Sequence, residues 1–109
     1  MFEELIGEVT VLFNCKLGTT LKIKNKFNKP FMQVVQGLDT MDVPDLIKML
    51  YCAVGEDAMK MNEFEALILD NLGLMELYDL VQKLVKKIQY PSLNFEEIDA
   101  KLEKANPKK

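Results

Sequence analysis

Hydrophobic and polar residues alternate over residues 8–27 in the way that is typical of β-strands. Val9, Val11 and Phe13 occupy every second position, and Leu21 and Ile23 alternate with lysines after the glycine-containing segment KLGTT. Two such runs around a glycine-centred break predict a β-hairpin over residues 8–27. Because an isolated hairpin is marginal in water, we expect its apolar face to lie on helices or to pair with another chain.

From residue 30 onward the apolar positions recur at helical spacing. Residues 30–90 are therefore predicted to form a helical core, in which each segment carries its own start or stop signal. These signals are Pro30 for a first helix, Asp42 and Gly55 around a second, a capping box of Asn62 and Glu65 with a final Gly73 for a third, and Pro91 after a fourth, LMELYDLVQKLVKKIQ.

A final helix is predicted over residues 94–105, because Asn94 and Glu97 have the spacing of a capping box. Residues 106–109 should form a frayed tail. With 109 residues, 49% of them hydrophobic and 28% charged, the chain has the size and composition of one globular domain. We expect a mainly α fold, a single domain over residues 1–109, with an N-terminal β-hairpin followed by a compact bundle of four to five short helices.

The amino-acid composition argues against most kinds of catalytic site. The sequence contains no histidine and no arginine, so all 14 positive charges are lysines, and the net charge is −3. The commonest general base and metal ligand is therefore missing, and so is the forked donor that clamps phosphates and reads guanine. Ten acidic residues between Asp39 and Asp79 lack the spacing of a calcium loop and mostly occupy helix starts. We expect no enzyme activity and no catalytic, cofactor or metal site.

The N-terminal stretch MFEELIGEVT carries acidic residues where a signal peptide would carry positive charge. No run approaches the roughly 18 apolar residues of a membrane span. We therefore expect a cytoplasmic protein without a membrane partner, in which Cys15 and Cys52 stay reduced.

A cluster of lysines around the second predicted strand leaves three alternatives open. It can be a solubilising strand face, a phosphate-tracking surface of a nucleic-acid-binding regulator, or a surface complementary to the acidic middle of a neighbouring copy. The absence of arginine and the negative net charge favour the first, so we expect no nucleic-acid partner. The cluster consists of Lys16, Lys22, Lys24, Lys26 and Lys29.

The second helical segment, DVPDLIKMLYCAVGED, is apolar on nearly every side and is interrupted only by Lys48. Leu80 widens the apolar stripe of the fourth helix, and the chain contains seven methionines, which pack adaptably against varied partner side chains. Packing inside a small core explains any one of these residues. Taken together, they predict apolar surface beyond the needs of the core, which usually marks a site for another protein.

The order of these segments resembles the tail assembly chaperones of long-tailed bacteriophages and of prophages in Gram-positive bacteria. A strand-rich start precedes VPDLIKMLYCAV, and a spacer then leads to MNEFEALILDNLGLMELYDLVQKLV. In that family an aspartate–hydrophobic–proline–aspartate start leads into a leucine-rich helix with an aromatic–small pair, here at residues 51–53. A capped helix like residues 62–70 and an acidic, leucine-rich helix like residues 75–88 follow. The likeness covers most of residues 8–90.

The resemblance implies a non-catalytic function. Such chaperones coat the hydrophobic tape measure protein in the host cytoplasm, help to recruit tail tube subunits, and are absent from the mature virion. Many are also made as a longer, frameshifted product. The expected partners are the tape measure protein and the tail tube protein, together with self-association of the chain.

The predicted mechanism is an apolar groove between the second and fourth helical segments that covers helical stretches of the client. The C-terminal helix is expected to lie over that groove when no client is present. The alternatives are a small head–tail joining or tail-completion protein, which would form a closed ring, and the nucleic-acid-binding regulator. The candidate contacts are Leu46, Met49, Leu50, Leu77, Leu80, Leu84, Phe95, Ile98 and Leu102.

Overall fold

The fold is taken from a computed structural model, which describes the backbone of residues 1–105 and the side chains of residues 1–103. It is mainly α-helical, with a two-stranded antiparallel sheet at the N-terminus, as the sequence predicts. The predicted tail of residues 106–109 lies outside the described residues. The elements are β1 (Phe2–Ile6), β2 (Val9–Phe13), α1 (Leu17–Phe27), α2 (Phe31–Gln36), a 3-10 turn (Leu38–Thr40), α3 (Val43–Val54), α4 (Met61–Asn71), α5 (Leu74–Gln89) and α6 (Phe95–Ala105).

The hairpin lies closer to the N-terminus than predicted. Strands β1 and β2 pair with Ile6 opposite Val9, so that Gly7 and Glu8 form a two-residue turn. Gly7 has a φ of 63° and Glu8 a negative φ, which is the pattern of a type II′ turn with glycine first. A Cβ atom at Gly7 would lie 2.7 Å from Oδ1 of Asn71. The turn therefore favours glycine for its backbone angle, and a Cβ atom there would also displace the exposed side chain of Asn71 at the end of α4.

The predicted second strand of the hairpin is wrong, because residues 17–27 form helix α1. Thr19 and Ile23 are buried and Phe27 is half-buried, and these three residues recur every four positions on one side of the helix. Leu21, expected on the inner face of a strand, is exposed. The apolar positions therefore fit a strand over residues 21–24, but over all eleven residues of α1 they fit a helix. With α1 included, the described residues contain six helices rather than four to five.

The remaining helices agree with the sequence patterns, apart from details of capping. At the start of α6 the N–H of Asn94 donates to Oε1 of Glu97, and the N–H of Glu97 donates to Oδ1 of Asn94, at 3.0 and 2.8 Å. This is the predicted capping box. At the start of α4 the N–H of Lys60 donates instead to Oε1 of Glu63 at 3.2 Å. The helix therefore begins at Met61, and the predicted box of Asn62 and Glu65 does not form.

Helix α3 occupies the centre of the structure and contacts α1, α4, α5 and strand β2. Its last turn is joined to the hairpin, because the backbone N–H and the side-chain amide of Asn14 both donate to the carbonyl of Ala53. Within residues 1–105 no helix combines the length and the apolar composition that a bilayer crossing requires.

Aromatic rings connect the hairpin to the helices around α3. Phe2 stacks on Phe13 with ring centroids 5.1 Å apart, and Phe13 meets Phe64 of α4 edge to face at 6.3 Å. Phe2 also meets Phe95 of α6 edge to face at 5.6 Å. These offset and perpendicular arrangements are the ones that aromatic pairs prefer. The inner face of the hairpin is therefore part of the same core as the helices.

We predict opposite effects of alanine at two glycines. Gly7→Ala should lower the free energy of unfolding by about 1–2 kcal/mol, because alanine resists a positive φ and its Cβ displaces the Asn71 side chain. Gly18→Ala, in the first turn of α1 with open space around it, should raise the free energy of unfolding by about 0.4–1 kcal/mol. Urea unfolding followed by circular dichroism measures both. Equal stabilities of the two variants would contradict the turn geometry.

Candidate interaction surfaces

The groove predicted between α3 and α5 is closed. Seven of the nine candidate contact residues are at most 4% exposed, because α3 and α5 pack directly against each other and α3 is covered by further elements. The expectation that the six of these residues on α3 and α5 line an open groove is wrong, because the structure places them in the interior. Ile98, on the C-terminal helix that is expected to cover the groove, is buried as well. The seven residues are Leu46, Met49, Leu50, Leu77, Leu80, Leu84 and Ile98.

The other two candidates, Phe95 and Leu102, are half-buried on α6. This helix packs along α5, as expected for the C-terminal helix. The ammonium group of Lys86 lies 2.7 Å from Oδ1 of Asp99, and the ammonium groups of Lys83 and Lys87 lie 5.8 and 5.5 Å from the centre of the Phe95 ring. Helix α6 is therefore attached to α5 by one ion pair and two cation–π contacts besides its apolar residues.

Surplus apolar surface does exist, but on residues other than the nine predicted contacts. Ten large hydrophobic side chains are exposed, mainly on the hairpin, on α1 and at the junction of α4 and α5. An excess of this kind in a small chain is a candidate contact surface for another protein. The exposed residues are Met1, Leu5, Val9, Leu12, Leu17, Leu21, Met32, Leu69, Leu74 and Met75.

One region forms what we call the hairpin–α5 surface. A groove of about 270 Å³ lies between the hairpin and α5, and its lining includes Leu5, the half-buried Leu72 and the acidic Glu4, Glu76 and Asp79. Lys83 also lines the groove but is paired with Glu4 at 3.2 Å. We include in this surface the exposed Leu69, Leu74 and Met75, which adjoin the groove residues along the chain at the end of α4 and the start of α5. The hairpin–α5 surface thus combines exposed apolar side chains with three carboxylates.

A second group, the α1 face, has the opposite charge. Leu17 and Leu21 are one helical turn apart and are 81% and 61% exposed. The lysines lie around them at positions 16, 22, 24, 26 and 29, all exposed. The sequence placed these lysines on a hairpin strand, whereas the structure places them on α1 and its two ends.

An open cleft of about 740 Å³ lies between α1 and the segment that follows α3. Lys22 and Lys26 of α1 line one wall, and Cys52, Glu56 and Asp57 are among the residues on the other side. Helical spacing alone could not reveal this cleft, because it depends on how α1 packs against α3.

The nucleophilic and titratable side chains near the cleft are not activated. Burial raises the pKa of the Cys52 thiol, and this effect outweighs the opposing charges of Lys26 and Lys22. Burial also raises the pKa of the Cys15 thiol. Burial raises the pKa of Tyr51 as well, and its hydroxyl donates to the carbonyl of Met59 at 2.6 Å. Among residues 1–103, no three His, Cys, Asp or Glu side chains gather in a way that could hold a metal ion.

Outside the cleft, the hydroxyl of Tyr78 donates to Oδ1 of Asp39 at 2.7 Å. This hydrogen bond stabilises the neutral phenol and raises the pKa of Tyr78, with smaller contributions from burial and from the charge of Asp39. The bond joins α5 to the 3-10 turn, so it helps to position α5 rather than to create a reactive group.

Comparison of the chain with protein-family models, with curated proteins and with solved structures gave no match.

We predict that replacing a leucine destabilises the protein at a core position but has little effect at a surface position. Leu84→Ala should lower the free energy of unfolding by about 2–5 kcal/mol, because it leaves a cavity beside α3. Leu74→Gln, at a 63% exposed position, should change it by no more than about 0.5 kcal/mol. Thermal and urea unfolding of the two variants provides the comparison. A neutral Leu84→Ala variant would show that α5 is not packed as described.

We predict slow alkylation of both cysteines in the native protein. Since the raised pKa keeps Cys52 as the neutral thiol at pH 7.5, iodoacetamide should modify it more slowly than in the urea-unfolded chain, with a rate that still increases above pH 9. Cys15 is buried and should react only on unfolding. Peptide mass spectrometry after timed labelling resolves the two sites. A Cys52 rate that is already constant below pH 8 would mean a lowered pKa instead.

Proposed function

We propose that this chain is a non-catalytic tail assembly chaperone of a long-tailed bacteriophage or prophage, which binds and solubilises the tape measure protein and assists assembly of the tail tube. The proposal places it in the host bacterial cytoplasm and outside the mature virion. Of the segments that carry the resemblance to this family, the three helical ones correspond to α3, α4 and α5, whereas the strand-rich start corresponds to β2 followed by helix α1. The observation that supports a binding function is the hairpin–α5 surface, whose large apolar side chains lie outside the core.

The hairpin–α5 surface has the features that a client with exposed apolar helices requires. Leu5 and Leu74 offer branched aliphatic groups, while Met75, which is 68% exposed, can adapt to client side chains of different shapes. An amphipathic client helix can place its apolar positions along the groove and its lysines or arginines against Glu76 and Asp79. The carboxylates also keep the free surface hydrated, which limits aggregation of the chaperone itself.

Binding through so small a surface is expected to be weak for each copy. A long client offers many similar helical segments, so several copies can bind side by side and cover it. Coverage of the apolar stripe of the client would remove the surface through which tape measure molecules aggregate. This mechanism needs no active site and no energy source.

We predict that the hairpin–α5 surface is required to keep the client soluble. Co-expression with the tape measure protein of the same phage or prophage genome should raise the soluble fraction of that protein, and the two should co-purify. The double variant Leu74→Gln/Met75→Gln should weaken binding by about tenfold for each side chain, since each loses about 1.5 kcal/mol of apolar burial. The soluble fraction of the client, measured after centrifugation, should fall accordingly.

The matched control is Leu17→Gln/Leu21→Gln, which removes two exposed leucines from the α1 face and should leave the client soluble. Insolubility of the client with the wild-type chain would contradict the proposed function. A stable closed ring of the chain alone, detected by light scattering, would favour the head–tail joining alternative.

A further inference from the structure

Positive charge is concentrated in one part of the molecule. Residues 9–38 contain five lysines and no acidic residue, in a chain whose net charge is −3. These residues form the consecutive elements β2, α1 and α2, so the five lysines lie close together along the fold. Among the described side chains, ion pairs are formed by Lys48, Lys83 and Lys86, and none by the five lysines of this region. The α1 face therefore presents lysines that form no ion pair with the described side chains.

Two exposed leucines lie among these lysines. Thr19 and Ile23 direct one side of α1 into the core, so Leu17 and Leu21 lie on the opposite, solvent side. At about 100° per residue, Lys24 lies directly beside Leu17, and Lys22 lies about 100° beyond Leu21 in the other direction. Lys26 lies further round the helix, near the buried Thr19. Two leucines one turn apart, with Lys24 on one side and the long side chain of Lys22 on the other, form a pattern that an amphipathic helix of the opposite charge complements.

We propose that the α1 face is a docking site for an acidic amphipathic helix of another protein. Leucine-sized residues of that helix, three or four positions apart, pack on Leu17 and Leu21, and its glutamates or aspartates face Lys24 on one edge and the long side chain of Lys22 on the other. Helix α1 has 11 residues, or about 16 Å, so the partner segment needs about three turns. The inference goes beyond the proposed function, because the α1 face carries the opposite charge to the hairpin–α5 surface and is separate from it.

The open cleft next to α1 extends the same site. Lys22 belongs both to an edge of the α1 face and to the wall of the cleft, which Lys26 also lines. A partner helix on the leucines can therefore place an acidic side chain at the entrance of the cleft, on the wall that carries these two lysines. Glu56 and Asp57 on the other side of the cleft repel a carboxylate that enters further, so they limit its position to the α1 wall.

Other anionic partners fit this face less well. A nucleic-acid surface normally presents polar residues and arginine to the bases and the phosphates, whereas the centre of the α1 face is two leucines. An anionic membrane favours an amphipathic helix with a broad apolar side, whereas one side of α1 is already used in the core. An acidic helix matches both the apolar centre and the charged edges.

The test uses a fluorescein-labelled synthetic peptide of about 14 residues, with leucines at helical spacing on one side, glutamates beside them and alanines elsewhere. Fluorescence anisotropy with the full-length chain should give saturable binding that weakens several-fold between about 50 and 300 mM salt. Two control peptides should bind at least about tenfold more weakly: one with lysine in place of each glutamate, and one with serine in place of each leucine.

Variants of the chain locate the site. Leu17→Gln/Leu21→Gln should weaken binding of the acidic peptide by about tenfold or more. Lys22→Gln/Lys24→Gln/Lys26→Gln should weaken it similarly and should also reduce its dependence on salt. The matched control Leu74→Gln/Met75→Gln changes the hairpin–α5 surface and should bind the peptide like the wild type. Circular dichroism of each variant checks that it is folded, as expected for exposed positions.

Several results would overturn the proposal. One is equal binding of the acidic and the lysine peptide, or binding that survives the loss of both leucines. Another is tighter binding of duplex DNA, or of phosphatidylserine vesicles, to the same residues. A third is self-association in sedimentation velocity that Leu17→Gln/Leu21→Gln abolishes, which would assign the α1 face to a second copy of the chain. No tape measure protein is used, so failure here is distinct from failure of the proposed function.

Discussion

Helix α3 is enclosed by α1, α4, α5 and β2, and the rest of the molecule is arranged around that contact. Seven of its twelve residues are buried, from Leu46 to Val54, so the helix can be apolar on nearly every side without exposing that surface. A chain of 109 residues reaches this arrangement by surrounding one helix rather than by stacking two layers. The apolar excess of α3 is therefore a requirement of the fold and carries no information about partners.

The hairpin completes this enclosure. A two-stranded sheet has little stability of its own, and here Phe2 and Phe13 join its inner face to α4 and α6 through aromatic contacts. Since side chains alternate across a strand, the same geometry directs Leu5 and Leu12 away from the core. The exposed leucines of the hairpin therefore follow from the packing of its phenylalanines, and they provide part of the surface on which we base the proposed function.

Charge divides the exposed apolar residues into two kinds of surface. The leucines of α1 lie among lysines, whereas Leu5, Leu74 and Met75 lie near Glu4, Glu76 and Asp79. The two surfaces therefore favour partners of opposite charge, in addition to apolar contact. A small protein with two such surfaces can hold a basic segment and an acidic segment at the same time, which is consistent with the proposed role in assembly.

The sequence by itself determined the mainly α class, the four helices from α3 to α6 within one or two residues, and the capping box of Asn94 and Glu97. These features depend on spacing and caps within a few residues. The sequence pattern predicts a strand where helix α1 forms, because apolar residues at positions 21 and 23 alternate with lysines. Over so few residues, such alternation does not distinguish a strand from a helix. Which apolar residues are buried was decided by the tertiary structure alone. Leu50 and Leu74 are both leucines in helices, yet Leu50 is buried in a helix that contacts four other elements, whereas Leu74 is exposed to water. Burial depends on what packs against a helix from distant parts of the chain.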